Sequence, residues 1–277
     1  MLYFPQEIDK LGSAYISEEW RSIVSGSCDV LKDRIALVTG ASKGLGREMA
    51  ISLGSAGATV VLASRNQDQL EETARRVEAA GGKAVVQVTD LTSETDVQAL
   101  GARIRAEFGA LHILINNAGV NLRKPVTEFT LEEWNWVMNS NVTSAFLTTR
   151  ECVPLMRGHG YGRILMLTSI MSHISLPERT AYSASKCALL GMVKALALEL
   201  ASEGITVNGI SPGPFATEMN ASLLQDEEKN RQFLASIPVG RWGDPKDIGS
   251  LALYLCRPEA CFITGTDILI DGGWTAR

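Results

Sequence analysis

The sequence lacks the features that mark metal centres, secreted scaffolds and membrane spans. Its five cysteines (Cys28, Cys152, Cys187, Cys256, Cys261) are odd in number and form no CxxC pair. Reduced thiols in an intracellular protein follow. Three histidines (His112, His159, His173) are too scattered to suggest a ligand cluster, so no metal is expected. No apolar run approaches the ~20 residues that span a bilayer, which argues against a membrane partner. The opening MLYFPQEIDK has neither the basic nor the apolar region of a secretory signal. Acids outnumber bases through Asp29, against an organelle transit peptide. The expected location is the cytoplasm. An excess of positive charge is missing too: 26 Lys+Arg face 31 Asp+Glu, a net charge of −5. A nucleic-acid binder, which needs clustered cations to displace counterions, is excluded on that balance.

The 277 residues are 45% hydrophobic and 21% charged, enough to bury a core without disulfides or metal. The length allows roughly two domains, but no Pro-, Gly- or Ser-rich linker divides the chain. We read an N-terminal arm over 1–31 and one large domain over 32–277. Within the arm, Ser17-Glu18-Glu19-Trp20 has the pattern of a helix start. From Lys32, short β-branched runs alternate with amphipathic stretches. Strand candidates are Ile35–Thr39, Thr59–Ala63, Ala84–Thr89, Ile113–Asn116, Arg163–Leu167, Thr206–Ile210 and Asp267–Ile270. Helix candidates are Leu45–Ala56, Gln67–Ala80, Ser93–Phe108, Leu131–Met156, Tyr182–Ser202 and Pro245–Leu255. Several strands are apolar throughout, as parallel strands covered on both faces are. The alternation predicts an α/β fold with a doubly wound, seven-stranded parallel sheet.

The first strand runs into Thr39-Gly40-Ala41-Ser42-Lys43-Gly44-Leu45-Gly46 and a helix. Glycines there permit a tight turn and close approach of backbone N–H groups to a pyrophosphate, aided by the helix N-terminus. The second strand is followed by Ser64-Arg65, where an NAD enzyme usually carries an acid for the ribose 2′-hydroxyl. Two cations, Lys43 and Arg65, without that acid suit a 2′-phosphate. NADP(H) is therefore the preferred cofactor, with NAD(H) admissible. Asp90-Leu91 follows the third strand; Asp90 either accepts from an adenine amine or caps a turn. Asn117-Ala118-Gly119 ends the fourth strand, either beside the adenosine ribose or as turn chemistry.

Tyr182-Ser183-Ala184-Ser185-Lys186 places a phenol and an ammonium on one helix face. A free phenol has a pKa near ~10, and a neighbouring ammonium lowers it. Such a pair can protonate an alkoxide or remove an alcohol proton. Ser169 ends the fifth strand thirteen residues before Tyr182, close enough for a loop to return its hydroxyl to the phenol. Its task would be to hold the substrate oxygen and stabilise developing negative charge. Asn141 sits inside a predicted helix it does not favour, where a local kink could bind a water leading from Lys186 to solvent.

These pieces, in this order, resemble the short-chain dehydrogenase/reductase family from Lys32 to Gly273: TGASKGLG, Asp90-Leu91, NNAG, Asn141, Ser169, YSASK, Pro212-Gly213 and Asp271-Gly272-Gly273. The resemblance implies a Rossmann-type sheet and an Asn141–Ser169–Tyr182–Lys186 tetrad. Tyr182 would be the acid/base, Ser169 would orient the carbonyl and Asn141 would support a proton-relay water. Lys186 would hold the nicotinamide ribose and acidify Tyr182. Pro212 and Gly213 would border the cofactor. A homo-oligomer, tetramer or dimer, is implied as well, built partly on the helices carrying Asn141 and Tyr182.

In such proteins the stretch 214–242 is a lid over a small-molecule substrate; here it contains Phe215, Met219, Phe233 and Trp242. Arg123 follows the NNAG loop and can pair with a substrate carboxylate. NLRKPVTEFTLEEW, PFATEMN and GRWGDP are similar to gluconate 5-dehydrogenases within the family, which implies a sugar acid or polyol. The alternative inside the family is a 3-oxoacyl carrier-protein reductase, which needs a basic docking surface. The acidic helix end Glu199-Leu200-Ala201-Ser202-Glu203 counts against it. A non-catalytic NADP-binding sensor is a reading of another class, disfavoured because all four tetrad residues are present.

Overall fold

The computed structural model describes residues 29–220 and 226–276. The helix start at Ser17 and nearly all of the proposed arm lie outside the described residues. Leu31, at its end, is fully buried in the core, and its amide donates to the Ala56 carbonyl.

Seven strands form one parallel sheet: β1 (Ile35–Thr39), β2 (Thr59–Ser64), β3 (Lys83–Val88), β4 (Ile113–Asn116), β5 (Gly162–Leu167), β6 (Ile205–Pro212) and β7 (Asp267–Ile270), in the order β3-β2-β1-β4-β5-β6-β7. Alternation along the strands splits the core in two. Ala36, Val38, Val60, Leu62, Ile113 and Ile115 face one layer. That layer is built from α1 (Gly44–Ser55), α2 (Gln67–Ala79) and α8 (Pro245–Cys256). Leu37, Val61, Leu114, Ile164 and Met166 face the other. There they meet α3 (Glu94–Phe108), α5 (Ser144–Met156) and α6 (Thr180–Leu200). Both faces are dry, which is why these strands read as nearly continuous apolar runs. The strand order reverses between β1 and β4, so a crevice opens at their carboxyl ends.

Caps fix the helix starts close to the expected positions. Asn66 accepts from the Gln69 amide ahead of α2, and Ser93 from Asp96 ahead of α3. Asp244 and Asp247 form a capping box with Pro245 in the first turn of α8. One predicted element is corrected. The stretch 131–156 is α4 (Leu131–Met138), a π-helical turn over Asn139–Thr143, and α5. The sequence Asn-Ser-Asn-Val-Thr is poor in helix formers, and Asn141 spends its carboxamide on another segment. Within 214–242, expected to be a lid, the described residues form a 3-10 turn at Glu218–Asn220 and a short helix, α7 (Glu227–Leu234).

Candidate active site

A cavity of about 650 Å³ lies at the carboxyl edge, across the β1/β4 switch point. It gathers nearly every residue expected from the sequence: Gly40, Ser42, Lys43, Gly44, Leu45 and Gly46 from the glycine turn; Ser64 and Arg65 after β2; Asp90 and Leu91 after β3; Asn117, Ala118 and Gly119 after β4; then Arg123, Ser169, Tyr182, Lys186, Pro212, Gly213 and Phe215. Asn141 is the exception, buried directly behind the wall.

The glycine turn is held from below by β4. The Asn117 amide donates to the Thr39 and Gly40 carbonyls at 2.9 and 3.1 Å, and the Thr39 hydroxyl accepts from the amides of Asn117 and Ala118. Gly40 adopts φ +63, and a Cβ there would stand 2.8 Å from the Asn117 nitrogen. The turn thus keeps its backbone bare and ends at the N-terminus of α1, a cradle that fits a pyrophosphate. Asp90 serves a turn through Oδ1, which accepts from the Thr92 amide (3.0 Å) and hydroxyl (2.8 Å), while also lining the cavity. Those bonds hold its carboxyl below the ordinary range. Lys43 and Arg65 border the same end of the cavity with no acid on β2 to oppose them.

At the other end, Lys186 is buried and donates to the Leu167 carbonyl at 2.5 Å. Burial lowers its ammonium to about 8. Asn141 accepts from the Val120 amide at 2.7 Å and donates to the Val120 carbonyl and to the Ser185 hydroxyl. Its carboxamide therefore braces the loop after Gly119, and the π-turn is the backbone form that delivers it there. Ser169 is buried, and its hydroxyl accepts from the Met171 amide. The Tyr182 phenol stands above its ordinary value: burial raises it most, while Ser169, Arg179 and Arg123 oppose with smaller effect. The Lys186 Nζ lies 5.7 Å from the Tyr182 ring centroid, and Arg179 and Arg123 add further positive charge near the phenol.

Arg179 was not singled out by the sequence. It lines the cavity three residues before Tyr182, and its guanidinium is lowered by burial and then by Arg123. An i,i+3 search backward from Tyr182 would have found it. Trp136 and Trp274 were missed for want of any motif. Phe233, also in the lining, stacks on Trp242 at 5.1 Å and meets Trp274 at 4.9 Å. Asn121 contributes a buried Oδ1 with no hydrogen-bond partner. Among the described residues no cluster of His, Cys, Asp or Glu could hold a metal, and no helix is long and apolar enough to cross a membrane.

A Rossmann-type sheet with a glycine cradle at the switch point and a Ser–Tyr–Lys group beside it defines a nicotinamide-dependent oxidoreductase. A family model described as enoyl-(acyl carrier protein) reductase matches residues 40–275. The chain belongs to the short-chain dehydrogenase/reductase family, and is an NAD(P)-dependent enzyme acting on alcohol groups. It is 36% identical over 240 residues to gluconate 5-dehydrogenase of Gluconobacter oxydans, covering 87% of this chain and 94% of that one. It is also 36% identical over 249 residues to 2-dehydro-3-deoxy-D-gluconate 5-dehydrogenase of Dickeya dadantii, covering 89% and 97%. A crystal structure described as a 2-deoxy-D-gluconate 3-dehydrogenase from Agrobacterium tumefaciens, with bound NADP, superposes with a TM-score of 0.82 at 35% identity. That match covers 89% of this chain and 98% of the other.

Proposed function

We propose that the protein interconverts a secondary alcohol and a ketone on a sugar acid, using NADP(H) in preference to NAD(H). The observation that carries the substrate class is the charge of the cavity beside Tyr182. Arg123 and Arg179 both line it, and neither has an ion-pair partner among the described residues. With no salt bridge on either among the described residues, and Glu178 offsetting only Arg179, the two guanidiniums suit a carboxylate. The names of the two relatives point the same way.

NADP, when bound, supplies or accepts the hydride, and its oxidised ring brings positive charge. The protein's residues do the rest. Gly40, Ser42, Gly44, Leu45 and Gly46 bind the pyrophosphate; Lys43 and Arg65 take the 2′-phosphate. Asp90 with Leu91 borders the adenine. Asn117–Gly119, Pro212 and Gly213 border the ribose and nicotinamide. Tyr182 gives its proton to the alkoxide during reduction and takes it back in oxidation. Ser169 orients the carbonyl oxygen. Lys186 binds the ribose near Tyr182. Asn141 shapes the π-turn through which a water reaches Lys186. Stretch 214–242 closes over the substrate, with Phe215 in its wall. Assembly as a homotetramer or dimer is supported by exposed Phe146 on α5 and Leu198 on α6. The four described cysteines are free, in keeping with the cytoplasm.

The test is a panel of 5-ketogluconate, a neutral polyol ketone and an acetoacetyl thioester, each with NADPH and NADH. We expect turnover of the keto acid, with Arg123→Leu and Arg179→Leu each raising its KM about tenfold or more. Preference for the thioester would overturn the sugar-acid reading in favour of an acyl reductase. Against that rival stand the acidic end of α6 and the turn after it, where Glu203 pairs with Arg157 at 3.0 Å.

A further inference from the structure

Behind Ser169 lies a second set of polar side chains that the reaction as described does not use. Asp267, the first residue of β7, is almost wholly buried, and its carboxylate reaches across two strand ends. Oδ1 accepts from the Thr168 hydroxyl at 2.6 Å. Oδ2 lies 2.5 Å from the Ser211 hydroxyl and 2.6 Å from His173 Nε2. The Ser211 hydroxyl is also 3.0 Å from the Ser169 carbonyl and 2.9 Å from the Thr168 hydroxyl. A niche is kept for the carboxylate: a Cβ on its cross-strand neighbour Gly209 would stand 2.0 Å from Oδ1. The end of β5 is thereby gripped from two sides, by Lys186 at the Leu167 carbonyl and by Asp267 at Thr168. His173 closes the turn 170–172 that follows Ser169 and ties it to the same carboxylate.

From this geometry we infer that Asp267 and His173 are a positioning pair that fixes the Ser169 hydroxyl relative to Tyr182. Two hydroxyls bring two protons to several short contacts, so the carboxylate is the acceptor that organises the group. Without it Thr168 and Ser211 turn to main-chain carbonyls nearby, and the Ser169 loop loses its anchor. A misplacement of about an ångström at a group stabilising the reacting oxygen costs on the order of a hundredfold in rate. The pair touches neither the glycine turn nor the 2′-phosphate end, so its effect falls on kcat.

Five variants test this, with single-turnover hydride transfer, cofactor Kd and thermal unfolding measured for each. His173→Leu and Asp267→Asn should lower the rate at least about tenfold with cofactor Kd unchanged. His173→Gln, whose amide nitrogen can stand in for Nε2–H, should recover most of it. In a Ser169→Ala background, His173→Leu should cost little further, because the group being positioned is gone. If Asp267→Asn does not fold, His173→Leu decides, its side chain being 32% exposed. A native rate in His173→Leu overturns the inference, and so does an equal loss with and without Ser169. A Ser169→Ala enzyme as fast as the native one overturns the role of Ser169 itself, and the positioning pair with it.

Discussion

The Asn117 carboxamide nitrogen lies 2.4 Å from where a Cβ on Gly46 would stand, and the Gly40 carbonyl oxygen is equally close. The cofactor turn is therefore locked from inside by β4, and Gly46 leaves room for the lock. Neither obstacle is the far end of a flexible side chain, since the amide is held by two carbonyls. Gly46→Ala should open the turn, destabilise the protein by about 2–3 kcal/mol and abolish measurable NADPH binding. Fluorescence titration with NADPH and a denaturant melt check this. Native affinity in the variant would show that the turn adapts.

Arg65 and Lys43 both line the cavity and are the cations proposed to take the 2′-phosphate. Arg65→Asp replaces attraction by repulsion there and offers an acceptor to a ribose 2′-hydroxyl. The ratio of kcat/KM for NADPH over NADH should fall at least about a hundredfold, a shift of roughly 3 kcal/mol. An unchanged ratio would return Arg65 to the status of a solvated side chain ahead of α2.

Legibility followed the range of the interaction. The sheet was readable because both its faces are dry: Ile113–Asn116 needed only an apolar run between turn residues. The cofactor turn was readable because its glycines fall within one short stretch, Gly40 to Gly46. Asn141 was visible as an unfavourable helix residue, yet the π-turn it occupies depends on Val120, twenty-one positions away, and no local pattern shows that. Arg179 and Trp274 belong to the site only because β5 and β7 end, and α6 begins, at one edge. The pairing of His173 with Asp267, ninety-four residues apart, is of the same kind. Motifs carry the chemistry common to a family, while side chains that select the substrate sit between motifs.

Burial keeps the Tyr182 phenol above its ordinary value, so at neutral pH the protein's own groups hold it protonated and ready to donate. Ketone reduction should be level near neutrality and decline on the alkaline side, where the proton is lost. Alcohol oxidation, which needs the phenolate, should rise with pH. Tyr182→Phe should reduce both directions at least about a hundredfold, the scale of general acid–base catalysis. Rates in both directions that fall together as pH rises would remove Tyr182 from the proton transfer.

At the opposite edge of the sheet, His112 Nδ1 accepts from the Ile35 amide at 3.0 Å, a bond that only the unprotonated nitrogen can make. Burial, then Arg34 and His159, lower its pKa from 6.5 to about 4. The folded value lies below the unfolded one, so as pH falls the unfolded chain takes the proton first. The contribution to stability is complete above pH 6.5, shrinks between 6.5 and about 4, and changes no further below that. The full gap corresponds to ~3 kcal/mol, and partial exposure of the ring reduces it to about 1–2 kcal/mol. His112→Asn keeps an acceptor for the Ile35 amide and has no proton to gain. Its unfolding free energy between pH 7.5 and 4.5 should therefore decline less than the native protein's by that amount. Parallel curves would place the acid sensitivity elsewhere in the fold.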